Sequence, residues 1–133
     1  MNFITYFFFI YILLLGETNM KTGFYWIITG DRDNEGNYIH VPALEEGSFQ
    51  HYGALMINRK ADYRHNPSKW SVSVVSTGSA ICANKTLAEA RSIAKELNHL
   101  EIWNVKTHEE LKEAVVNPDY KEVIAHIRKV AKV

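Results

Sequence analysis

Strand signals and helix signals barely interleave in this sequence, and that segregation constrains the fold more than any single motif. Residues 24–29 (FYWIIT), 37–41, 54–58 (ALMIN) and 70–76 (WSVSVVS) are short β-branched or aromatic runs bounded by turn formers. In the last of them Trp70, Val72 and Val74 alternate with Ser71 and Ser73, the period of a half-buried strand. The polar stretch 31–36 reads as a hairpin loop. Pro42 is expected to end the second strand, because it brings no N–H to a ladder. Thr77-Gly78 reads as a turn and residues 79–82 as a short return strand.

The chemistry then changes. Thr86-Leu87-Ala88-Glu89 is a capping box, in which the Thr hydroxyl and the Glu carboxylate each satisfy a backbone donor of the first turn. Leu87, Ala90, Ile93, Ala94 and Leu97 follow on one helical stripe. Thr107-His108-Glu109-Glu110 repeats the pattern before Leu111, Ala114 and Val115. Asn117-Pro118 opens a third helix whose apolar face is Tyr120, Val123, Ile124, Ile127, Val130 and Ala131. Residues 101–105 (EIWNV) read as one more strand. The expected fold is α+β: an antiparallel β-meander of four to six strands with two or three helices packed on one face.

At 133 residues the chain has room for one core, expected over residues 20–133. A 47% hydrophobic and 23% charged composition excludes wholesale disorder. Fifteen Lys+Arg balance fifteen Asp+Glu, so the chain is not a general nucleic-acid coating protein, which needs a basic excess. Cys82 is the single cysteine, which excludes an internal disulfide framework and any multi-cysteine zinc site.

Residues 1–19 differ from the rest. They hold four of the six Phe and no Lys or Arg, and their apolar run is shorter than the roughly 20 residues a spanning helix needs. The positive start and small-residue cleavage site of a secretory signal are missing. Gly16-Glu17 can be encoded by a purine-rich stretch resembling a bacterial ribosome-binding site, set just ahead of Met20-Lys21. The expectation is a non-native upstream extension, with a short hydrophobic anchor as the alternative. Translation from Met20 implies a cytoplasmic domain without a membrane partner, encoded by a bacterium, phage or mobile element.

The segment 58–70 (NRKADYRHNPSKW) carries the most suggestive chemistry. Arg59, Lys60, Arg64 and Lys69 supply cations, while Tyr63, His65 and Trp70 supply flat rings. Cations for phosphate and aromatics for stacking are the elements of nucleotide or single-strand recognition. The competing reading is a solvated connector that balances the acidic stretch from Asp31 to Glu46.

Other constellations are weaker. Asp31, Asp33, Glu35 and Gly36 have the spacing of a calcium loop, but Pro42 stands where the bidentate Glu belongs. Residues 78–86 lie where a phosphate-binding loop would, with Asn84 in place of the second Gly. The six histidines show no metal-binding spacing on one element, and no cofactor is implied. Cys82 sits in an apolar run and reads as a buried small hydrophobe rather than a nucleophile. Tyr25, Trp26, Trp70 and Trp103 are expected in the core, and any that face outward would mark a partner surface.

These readings give a small non-catalytic binding or accessory protein, acting on a host protein or a small anionic ligand. The alternatives are nucleotide or nucleic-acid binding through the 58–70 loop and, behind that, a metal-dependent hydrolase or nuclease using Asp31, Asp33 and a His.

Overall fold

The computed structural model describes residues 19–133. The expectation for the N-terminal extension therefore lies, but for its last residue, outside the described part. Five antiparallel strands form a meander in chain order: β1 (Lys21–Arg32), β2 (Tyr38–Tyr52), β3 (Leu55–Lys60), β4 (Trp70–Val74) and β5 (Ala80–Lys85). Three helices follow: α1 (Leu87–Leu97), α2 (His108–Val116) and α3 (Lys121–Ala131). The expected α+β architecture is the one found.

The helices cover one face of the sheet. Leu55, Ile57, Trp70, Val72 and Val74 project from it into Ala90, Ile93, Ala94 and Leu97 of α1 and Ile127 and Ala131 of α3. Each large apolar side chain closed off there contributes about 1.5–3 kcal/mol. The capping box forms as read: Thr86 Oγ1 accepts from Glu89 N at 3.2 Å, and Glu89 Oε1 accepts from Thr86 N at 3.0 Å. At Thr107 only half of the repeated box forms: Oγ1 accepts from Glu110 N at 3.1 Å and starts α2, while Glu110 Oε2 accepts from Lys106 N at 3.2 Å instead of Thr107 N.

The opposite sheet face is closed too, which the Trp70–Ser76 alternation does not foretell. Tyr25, Met56, Asn58 and Ser73 are all buried on it, with the Ser73 hydroxyl donating to Asn58 Oδ1 at 2.9 Å. The cause is curvature. The β1–β2 hairpin curls until the outer edge of β1 meets the β4–β5 turn, where Ile28 N–H donates to the Gly78 carbonyl at 2.9 Å.

Two sequence readings are corrected. The second strand does not stop at Pro42 but continues to Tyr52. Because the Ile28 N–H points away from β2, the Ile28–Pro42 pair is a non-hydrogen-bonded one, and Pro42 also aims its nitrogen out of the ladder. The missing donor is therefore missing where β1 does not need it. Residues 101–105 are not a strand: Glu101–Trp103 is a 3-10 turn, fixed by Trp103 Nε1 donating to the Leu97 carbonyl at 2.7 Å inside the core.

Candidate functional site

β2 pairs with β1 along nearly its whole length but with β3 only from Gly47 to Tyr52. The first half of β2, with β1 beside it, is thus a two-stranded extension of the sheet. Its tip is organised by Asp33, whose Oδ1 accepts from the backbone N–H groups of Glu35 and Asn37, each at 2.9 Å. Those donors, that of Asn37 foremost, hold the Asp33 carboxyl below the ordinary carboxylate range. The calcium-like spacing is a hairpin tip whose acid serves its own backbone.

The strand register decides which side chains share a face. Phe24, Trp26 and Ile28 of β1 lie opposite Glu46, Leu44 and Pro42 of β2, on the side of the sheet that carries the helices. The helices do not reach this part. Phe24 is 65% exposed, Trp26 58% and Leu44 55%. At the far end of the same face His40 does meet α2, its ring 4.7 Å from that of His108 and 5.1 Å from that of Tyr38. An uncovered apolar patch therefore lies between the helix-covered body of the sheet and the His40–α2 contact near the tip.

The His40 contact belongs to a wider fastening. Thr77 Oγ1 donates to Ser79 Oγ at 2.8 Å, and Ser79 Oγ lies 2.7 Å from His108 Nδ1. Burial, followed by the neighbouring His40, holds His108 below the ordinary imidazole pKa and so favours the neutral ring, whose tautomer sets the direction of the Ser79 bond. Nucleophile and base have this spacing in hydrolases. Ser79, however, is buried, and its bonds tie the β4–β5 turn to the start of α2.

The seven loop residues singled out in the sequence separate into two groups. Arg59 and Trp70 belong to the sheet: Trp70 is 3% exposed, and the Arg59 guanidinium lies 4.5 Å from its ring centroid. Neither offers a free flat surface. Lys60, Tyr63, Arg64, His65 and Lys69 do lie outside, where Lys60 Nζ and Lys69 Nζ stand 5.7 and 5.6 Å from the Tyr63 ring. These cations already have neighbours. Lys60 is 3.7 Å from Glu45 Oε1, Arg64 Nε donates to His65 Nε2 at 3.2 Å, and Lys69 donates to Asn84 Oδ1 at 3.3 Å. A cleft of about 450 Å³ opens beside the loop between Ile27, Ala43, Glu45, Lys60 and Asp62, with charges of both signs.

The remaining candidates resolve simply. Cys82 is buried, and burial raises its thiol pKa, which disfavours the reactive thiolate. Most of the phosphate-loop-like segment is strand β5. Among the described residues no three His, Cys, Asp or Glu side chains converge on a metal position, and no helix is long and apolar enough to cross a membrane.

Trp26, expected in the core, lies instead on the exposed hairpin face. Residues 24–28 are apolar at every position, so alternation does not say which side faces outward. The signal lies in β2, where Leu44 and the charged Glu46 share the exposed face, and it is legible only once the register is known. No protein-family model, curated protein or solved structure matches the chain.

Proposed function

We propose that this protein is a small, non-catalytic, cytoplasmic binding module that docks a partner protein on the helix-side face of its β1–β2 hairpin. The observation that carries this reading is the exposure of Phe24, Trp26 and Leu44 side by side on one two-stranded element. Large aromatics at the centre of an interface carry much of its binding energy, and soluble monomers rarely leave them uncovered together. An accessory role in a phage or mobile element rests on the coding bias of residues 1–19 alone. The test is affinity capture from a lysate of the source cells: the Phe24→Ser/Trp26→Ser variant should lose a partner that the unaltered protein retains. Retention of that partner by the variant contradicts the proposal.

A second reading is favoured by one observation, the two lysine ammonium groups that stand 5.7 and 5.6 Å from the Tyr63 ring. That arrangement suits a flat anionic ligand such as a nucleotide. It ranks second because Trp70 is buried under Arg59 and Lys60, Arg64 and Lys69 are already engaged. Binding that weakens steeply with added salt and with Tyr63→Ala supports it.

A further inference from the structure

We propose that the outer edge of β1, over residues 22–26, accepts an extended lysine- or arginine-bearing segment of a partner protein as an added strand. The proposal rests on the hairpin reading above and specifies how the partner docks. Because Ile28 N–H points outward to Gly78, the alternation of an antiparallel strand also points the N–H and C=O groups of Trp26, Phe24 and Thr22 outward, away from β2. Beyond Ile28 the edge is occupied by the β4–β5 turn. Below it lies a run of three outward donors next to exposed aromatic side chains.

The sheet has other free edges among the described residues, and they are treated differently. The free half of β2 carries Pro42, whose nitrogen faces outward and offers no donor. β5 is joined to β4 through register shifts and ends at Lys85, after Asn84 in a left-handed conformation (φ 59°). Proline, irregularity and lysine are the usual means of blunting an edge against strand addition. Among the described residues, the stretch of β1 from Thr22 to Ile27 has no proline and no register shift, and the one lysine of the strand, Lys21, stands at its end. Edges left in this state recruit extended peptides by backbone pairing.

Charge selects among occupants. The two strands and their connecting tip carry Asp31, Asp33, Glu35 and Glu46 against Lys21 and Arg32, with Glu45 paired to Lys60. A second copy paired edge to edge would bring two such acidic hairpins together, whereas a basic segment is attracted. Alternate apolar side chains of that segment would lie beside Phe24 and Trp26, which places its cations on the opposite face, that of Tyr25 and Glu45.

The test uses the full chain, ¹⁵N-labelled, with amide hydrogen exchange read by NMR. The probes are a ten-residue alternating Val/Lys peptide, its Val/Glu counterpart, and the Val/Lys peptide N-methylated at alternate backbone nitrogens. The Val/Lys peptide should slow exchange at Phe24 and Trp26 at least tenfold, while Tyr25, which already donates to β2, is unchanged. The other two probes should have no such effect. Phe24→Pro removes one outward donor and leaves the β2 ladder intact, so it should abolish the protection. Trp26→Lys, which places a repelling charge at the edge, should weaken it as well and serves if the proline variant does not fold. Equal protection by both charged peptides, no protection, or slow exchange at these amides in the protein alone overturns the proposal, as does dimerisation through this edge. If the peptide fails but Phe24→Ser/Trp26→Ser still loses its captured partner, strand addition falls and the docking face stands. If capture also survives that variant, the hairpin reading falls with it.

Discussion

Arg59 and Trp70 stand at the ends of β3 and β4, with the guanidinium 4.5 Å above the indole and the indole 3% exposed. The pair closes the core at the end of the sheet from which the 61–69 connection departs. Arg59→Ala is therefore expected to destabilise the fold by about 1 kcal/mol through the lost cation–π contact and its packing. Arg64→Ala, on the exposed connection, should change stability by less than about 0.5 kcal/mol. Paired urea titrations of the two variants check this, and equal effects contradict it.

Gly78 should tolerate no side chain. Its φ of 75° lies in the left-handed region, and a Cβ there would sit 2.8 Å from the Ile27 Cα. Gly78→Ala is expected to cost more than about 1 kcal/mol and to speed exchange of the Ile28 amide, because the hairpin must move off the turn. An unchanged Ile28 amide would show that the hairpin is held by other contacts.

The sheet and helices were legible in the sequence wherever a local rule acted alone. Thr86 with Glu89, Thr107 with Glu110, and the Trp70–Val72–Val74 alternation each reported a structure that a few neighbouring residues determine. Pro42 misled because its effect depends on which way its nitrogen points, and that follows from pairing with a strand fourteen residues away. Trp103 misled for a related reason. Its strand-like neighbourhood yields to a tertiary hydrogen bond with Leu97. The loop chemistry was legible as composition only, since Arg59 and Trp70 look like Arg64 and Tyr63 until burial separates them.

Thr86→Ala should lower stability by about 1 kcal/mol, shifting the denaturant midpoint without changing the slope. Both partners of the box are bonded, so Glu89→Ala should cost less than the threonine change but be measurable. No shift for either variant contradicts the cap.

Stability should decline as pH falls through the histidine range. Burial, with help from His40 at His108 and from Lys21 at His51, depresses both folded-state pKa values. The unfolded chain, with imidazole pKa values of about 6.5, then takes up protons first, so the loss begins near that pH and levels off below the folded-state values. His108→Gln should flatten part of the decline. An unchanged pH profile in that variant would remove His108 as a cause.

On the proposed reading, the hairpin face, not the 58–70 loop, holds the partner. Side-by-side affinity capture with the unaltered protein, Phe24→Ser/Trp26→Ser and Tyr63→Ala/Arg64→Ala measures this directly, with melting temperatures confirming that all three are folded. The hairpin variant should lose the captured protein and the loop variant should keep it. Loss confined to the loop variant would contradict the account and move the site to Tyr63 and its lysines.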